Sequence, residues 1–273
     1  MDLEILEAHP AGGADSGAVP FLFVHGAWHG AWCWERVLPF VAASGHDAFA
    51  VSLRGHGRSA RPRRFRLASL GDYVEDVARA VARLGRAPVL VGHSMGALVA
   101  QRYVAGGGSA AGLVLLAPVP RAGVLGATLR VARRHPLVFL ESNLTWRLWP
   151  VMRAPARARE LLLRPATPPD EVRAVHARLQ DESYLAYLGM FRGAVDPAAV
   201  RVPVRVIGAG EDRLFREAET RATARAYGVA AEIVPGAAHD LMLDPAWEAV
   251  TAGIVGWARE LGAAGGAGPA TAR

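Results

Sequence analysis

Short apolar runs that end at glycine or proline alternate with stretches of helical periodicity, and this alternation constrains the fold more than any other feature of the chain. The runs are PFLFVH (20–25), DAFAVSL (47–53), PVLVGH (88–93), GLVLLAP (112–118), VPVRVIG (202–208) and AAEIVP (230–235). Continuous apolarity over so few residues fits strands buried on both faces, which is the condition of a parallel sheet. Between them, Trp34, Val37, Leu38 and Val41 recur at helical spacing. So do Leu70, Tyr73, Val74, Val77 and Val81, and later Trp247, Val250, Ile254 and Trp257. Strand–helix–strand alternation predicts an α/β fold with a mostly parallel central sheet and helices on both faces. LEILEA (3–8) adds an antiparallel edge strand.

The alternation stops at 119 and resumes near 199. The intervening stretch reads as short helices over 123–134, 138–151, 156–164, 169–179 and 181–193, punctuated by Pro and Arg. The expected organisation is a core of 1–118 and 199–261, a helical cap of 119–198 over the C-terminal edge of the sheet, and a disordered tail at 262–273 (GAAGGAGPATAR).

Composition excludes several classes. Hydrophobic residues make up 52% and charged residues 21%, so the chain can bury a sizeable core and is not a disordered one. The net charge is +6 and every base is arginine, for the sequence has no lysine. Arginines cluster at 61–66, 130–134 and 153–159, but no nucleic-acid-binding motif accompanies them, and they read as solvated surface rather than a nucleic-acid site. Cys33 is the only cysteine, so no intrachain disulfide can form. MDLEILEAHP lacks the basic and apolar regions of a secretory signal. No apolar run reaches the ~18 residues of a membrane span. The expectation is a soluble, cytoplasmic protein without stable membrane insertion; nothing in the sequence marks an oligomeric state.

The strongest local motif is Gly92-His93-Ser94-Met95-Gly96. It follows the strand-like PVLV and opens the helix-like MGALVAQRYVA. A sharp strand-to-helix turn lifts the central serine above the sheet edge, at a helix N-terminus that favours negative charge. A serine hydroxyl needs a base to become a nucleophile. Among the histidines, His239 lies in GAAHDLML, after a strand and before the terminal helix, at the edge where α/β active sites collect. Asp212, in IGAGEDRLF just beyond VPVRVI, is the candidate that orients it. Glu211, Asp240 and Asp244 are rivals, the first pointing elsewhere and the other two too close to His239 along the chain.

An acyl-transfer site also needs backbone donors for the developing oxyanion. Met95 follows the nucleophile and supplies one. The chain carries HGAW twice, at 25–28 and 29–32. The first copy begins where its strand ends, so Ala27 is the second donor. The second copy is mainly a helix start. His25, Trp28, Trp146, Met190 and Leu241 are candidate substrate-lining residues. Neither a metal nor a cofactor is called for.

HGAWHGAWCW, SLRGHGRS, VGHSMGA, GAGEDRLF and GAAHDLML occur in the order seen in the α/β-hydrolase superfamily, which the chain resembles over about 20–118 and 200–260. The double HGAW is similar to the branch of plant methyl esterases and hydroxynitrile lyases. SLRGHGRS is similar to lysophospholipase-like and epoxide-hydrolase-like groups, in which Asp often stands where this chain has Ser52. The resemblance implies the order Ser94, Asp212, His239 and a cofactor-independent esterase acting on a small hydrophobic ester. It argues against epoxide hydrolases and haloalkane dehalogenases, whose elbow nucleophile is Asp. It also argues against hydroxynitrile lyases, which place Lys where Asp240 stands. A thioesterase and a carbon–carbon bond hydrolase use the same residues and remain alternatives. A non-catalytic ligand receptor on this fold would usually have lost one of them or would keep them without turnover, and the intact set argues against it.

Overall fold

The computed structural model describes residues 2–14, 18–193 and 195–266. In chain order the elements are β1 (Ile5–Ala8), β2 (Phe21–Val24), α1 (Val37–Ala43), β3 (Ala48–Val51), α2 (Leu70–Leu84), β4 (Val89–His93), α3 (Met95–Ala105) and β5 (Gly112–Leu116). There follow α4 (Leu125–Arg134), α5 (Pro136–Thr145), α6 (Trp149–Met152), α7 (Pro155–Leu162), α8 (Pro169–His176) and α9 (Tyr184–Met190). The chain closes with β6 (Val204–Ala209), α10 (Glu217–Ala226), β7 (Ala231–Val234) and α11 (Trp247–Gly266).

Seven strands form one sheet in the order β1-β3-β2-β4-β5-β6-β7. All pairings are parallel except β1 with β3, so the antiparallel edge lies where LEILEA predicted it. The apolar runs follow from burial on both faces: Phe21–Val24, Val89–Val91 and Leu113–Leu116 are each at most 1% exposed. Register then positions the loops. Val24 pairs with Gly92, His93 with Leu116, Leu116 with Ile207 and Ala209 with Val234. The C-terminal ends of five neighbouring strands are therefore level, and the loops that leave them share one edge.

α2 shows how local sequence sets an element. Ser69 accepts from the Asp72 N–H while Asp72 takes the Ser69 N–H, a reciprocal cap that typically stabilises by about 1 kcal/mol. Gly85 ends the helix in the left-handed conformation, φ 65°. The stripe Leu70, Tyr73, Val77, Ala80 and Val81 is buried, as its 3.6-residue period requires.

The segment between β5 and β6 is helical, with one correction to the expected boundaries. The helix expected over 138–151 is two helices, α5 and α6. Trp146 breaks it by adopting a left-handed conformation, φ 53°. Asp181 Oδ1 then accepts from the N–H groups of Leu148 (3.1 Å) and Trp149 (2.8 Å), which satisfies the start of α6 from a distant residue. Pro150 sits in that first turn, where its missing N–H costs nothing. At the other end, α11 runs to Gly266, past the expected start of the tail at 262; 267–273 lie outside the described residues. No helix among the described residues is long and apolar enough to cross a membrane.

Candidate active site

Ser94 stands between β4 and α3 with φ 52° and ψ −117°, a backbone conformation strained for a residue with a Cβ. The glycines at either side allow the turn. A Cβ on Gly92 would press on the backbone of Gly96 and Ala97, and one on Gly96 would collide with the carbonyls of Val24 and His25. Ser94 is 7% exposed and lines a pocket.

His239 and Asp212 arrive on the loops after β7 and β6. His239 Nδ1 donates to Asp212 Oδ2 over 2.6 Å. The other carboxylate oxygen, Oδ1, accepts from the N–H groups of Leu214 and Phe215, both at 2.8 Å. The turn after β6 thus fixes the carboxylate, and the carboxylate fixes the imidazole tautomer with Nδ1 protonated. Burial pulls the His239 pKa down, but the charge and hydrogen bond of Asp212 outweigh it, and the net shift is upward from 6.5. His239 Nε2 makes no hydrogen bond among the described residues and is free to act as a base. Nucleophile–base bonds of resting enzymes often close only when substrate binds. The elbow and the histidine loop are already in contact, because His93 Nε2 donates to the His239 carbonyl at 3.0 Å. Burial first, then the neighbouring His239, push the His93 pKa down to about 3, so His93 is a neutral strut.

The amides of Ala27 and Met95 are buried, and neither donates to a protein acceptor among the described residues. Buried N–H groups are rarely left unpaired, and these two flank Ser94 from the β2 loop and the start of α3. The second HGAW supplies the support. Gly30 precedes a 3-10 turn over Ala31–Trp34, and the Ala31 N–H is held by Ser52 Oγ at 2.8 Å. Ser52 in turn donates to Glu4 Oε2 at 2.7 Å, so serine at this position ties the loop to β1's approach. His29 does more than start a helix. Its Nδ1 donates to the Ala27 carbonyl (2.8 Å) and its Nε2 to Asp240 Oδ2 (3.0 Å), both deep in the core. Burial raises the Asp240 pKa, but His29 and the neighbouring histidines overcome this and hold it below the ordinary carboxylate value. The ring nitrogens of His93 and His239 and the Asp240 carboxylate lie within 4.8 Å of one another. Their hydrogen bonds to Asp212, His29 and the His239 carbonyl make the group a bonded network rather than a ready metal site.

A second buried carboxylate, Glu182, precedes α9. It accepts from Tyr73 Oη (2.6 Å) and its neighbour's N–H at Ser183 (2.6 Å), and lies 3.2 Å from His56 Nε2. Burial acts to raise its pKa, and His56 with these donors brings the net shift below the usual value. Its Oε2 also accepts, at 3.4 Å, from the N–H of Trp28.

The pocket over Ser94 has an empty volume of about 790 Å³, its open mouth included. Ala27 and Trp28 line one side, Leu214 and Phe215 another, and Val124 and Met190 belong to the helical segment above. Among the described residues, none that lines the pocket carries a formal charge. Of the five candidate lining residues, Trp28 and Met190 face the pocket. His25, Trp146 and Leu241 do not, and each is corrected for a physical reason. His25 is fully buried: Nδ1 donates to the Gly26 carbonyl and Nε2 accepts the Leu53 N–H. Trp146 is 52% exposed, and its ring lies tilted against that of Tyr184, centroids 5.2 Å apart. Leu241 is buried in the core behind His239. Phe215 and Leu214 were missed, although their place right after Asp212 was a signal.

The alpha/beta hydrolase family model matches residues 21–251. Among curated proteins, the probable esterase PIR7A of Oryza sativa subsp. indica is 39% identical over 139 residues, 47% of this chain and 51% of its own length. Methyl jasmonate esterase 1 of Vitis vinifera is 40% identical over 78 residues, 28% of this chain and 30% of its own. The chain thus aligns with about half the length of the first of these relatives and less of the second. Among solved structures, a thermophilic esterase from Thermogutta terrifontis superposes with a TM-score of 0.75 at 21% identity, covering 95% of this chain and 93% of that one. A monoacylglycerol lipase from Paleococcus ferrophilus gives 0.70 at 20%, covering 96% and 100%; at such identities the likeness is one of fold. On the family match and the level strand edge that carries Ser94, Asp212 and His239, this chain belongs to the alpha/beta hydrolase family.

Proposed function

We propose that the protein is a cofactor-independent serine hydrolase that cleaves a carboxylic ester with an uncharged, apolar acyl or alcohol part. The observation that carries this is the pair of unspent, buried amides at Ala27 and Met95 on either side of a strained serine, beside a histidine held by a carboxylate. Ser94 Oγ attacks the ester carbonyl while His239 Nε2 takes its proton. The carbonyl oxygen becomes an oxyanion and accepts from the Ala27 and Met95 N–H groups. Asp212 holds the imidazole and stabilises the imidazolium. His239 then protonates the departing alkoxide, leaving an acyl-Ser94. Water, deprotonated by His239, attacks this ester, and the acid leaves as Ser94 regains its proton.

The uncharged pocket wall supports this substrate class, because a charged group placed there would lose its hydration without gaining a partner. The similarity to proteins named as esterases supports the same bond type. A panel of p-nitrophenyl esters of graded chain length tests the reading: neutral acyl groups should turn over and a dicarboxylate half-ester should not. Ser94→Ala should lower kcat by about 10⁴-fold or more, the scale of losing a serine nucleophile. Equal rates for wild type and Ser94→Ala would refute it.

A further inference from the structure

We propose that Glu182, a carboxylate from the helical segment between β5 and β6, is a positioning residue for the oxyanion hole. With the Gln180 amide it holds Trp28 in a left-handed conformation and so keeps the Ala27 N–H aimed at the reacting oxygen. This rests on reading Ser94 as the nucleophile and Ala27 as an oxyanion donor.

Trp28 has φ 66°, in a region that bulky residues with a Cβ rarely occupy. Such a conformation persists only where its surroundings over-determine it. Here both backbone polar groups of Trp28 are taken by one strand of chain outside the sheet core. The Gln180 N–H donates to the Trp28 carbonyl at 2.8 Å. The Trp28 N–H donates to Glu182 Oε2 at 3.4 Å, long for a hydrogen bond but directed at a charged acceptor. The peptide that joins Ala27 to Trp28 is therefore gripped at both ends, since its other polar group, the Ala27 carbonyl, accepts from His29.

The strap is itself immobilised. Gln180 Oε1 accepts the Gly57 N–H at 2.6 Å. Glu182 is fully buried among Tyr73, His56 and the Ser183 amide. An ion buried this deeply costs desolvation, and an apolar side chain of similar size would fill the space at no such cost. What an apolar side chain could not do is accept the Trp28 N–H. Released, Trp28 would relax toward negative φ and the 27–28 peptide would turn. Because this peptide is joined through the Ala27 Cα to the 26–27 peptide that carries the Ala27 N–H, the Cα would shift and draw that donor off its position. The helical segment thus roofs the pocket and also completes the site beneath it.

Steady-state kinetics of Glu182→Gln, Trp28→Gly and the double variant on one p-nitrophenyl ester test this, each with a thermal melt. Glu182→Gln, folded at the assay temperature, should lose about 10–100-fold in kcat with KM little changed, a part of the 10²–10³ that a lost oxyanion donor costs. Glycine adopts φ > 0 without strain, so in the Trp28→Gly background the same substitution should change kcat by less than about threefold. An unchanged kcat in Glu182→Gln, or an equal fall in both backgrounds, overturns the proposal while leaving the hydrolase reading intact. If Glu182→Gln does not fold, Tyr73→Phe, which removes one of the two donors that hold Glu182 Oε1 and so loosens the carboxylate, should still lower kcat several-fold; no loss there overturns the proposal. Wild-type turnover that survives Ser94→Ala overturns both.

Discussion

Two histidine–carboxylate pairs lie side by side beneath the pocket, and they share neighbours in the chain: His239 pairs with Asp212, and Asp240 pairs with His29. Both are buried and both are tightly bonded, at 2.6 and 3.0 Å. They differ in what remains unbonded. His239 commits only Nδ1 and leaves Nε2 without a hydrogen bond among the described residues. His29 commits both nitrogens, one to Asp240 and one to the Ala27 carbonyl. A base needs a free lone pair; a brace needs none. The pair alone therefore does not mark a catalytic dyad, and the number of ring nitrogens already in use separates the histidine proposed to move a proton from the one that holds the loop.

The largest expected effect separates the two on rate. Asp212→Asn should lower kcat by about 10⁴-fold through loss of the correct tautomer, with the melting temperature little changed. Asp240→Ala should do the reverse in kind. It strands the His29 donor in the core and should cost about 3–5 kcal/mol of stability, as breaking one side of a buried pair does, with a smaller loss of kcat per folded molecule. Chemical denaturation beside ester kinetics reads both. If Asp240→Ala lost rate as steeply as Asp212→Asn without losing stability, the assignment of the pairs would be reversed.

The second HGAW supplies a milder test. Ser52→Ala removes the acceptor of the Ala31 N–H and should cost about 1–3 kcal/mol, the penalty of an unsatisfied buried donor, while kcat is unchanged. A large fall in kcat would mean that the second copy takes part in the chemistry.

The smallest effect is on pH dependence. In the proposed reaction turnover needs neutral His239, and Asp212 lifts the His239 pKa above 6.5. As pH falls through that raised value, the imidazole protonates and kcat/KM drops; at higher pH it reaches a plateau. In Asp212→Asn the raising charge is gone, so the residual activity should persist to lower pH. A midpoint that does not move would show that another group controls the acid limb.

Which parts of this were legible in the sequence follows from how far apart the interacting residues lie. The strands were legible because each is a local apolar run. The elbow was legible because Gly92, Ser94 and Gly96 are contiguous with their strand and helix. Asp212 and His239 could be selected by their place at strand ends. The braces could not, because His29 and Asp240 are 211 positions apart and Trp28 and Glu182 are 154 apart; no local pattern links such pairs. The break at Trp146 was missed for the same reason, since the Asp181 carboxylate that caps the next helix arrives from another part of the chain. His25 was misread as pocket-lining because its position beside the site says nothing about which way its ring is bonded.

The most direct test of the central claim is intact-mass spectrometry after incubation with a fluorophosphonate, with peptide mapping of the adduct. One phosphonyl group on Ser94 in the wild type, absent from Ser94→Ala and strongly slowed in His239→Ala, is the predicted result. A folded wild-type protein that takes up no label, or takes it up on a residue other than Ser94, would contradict the account.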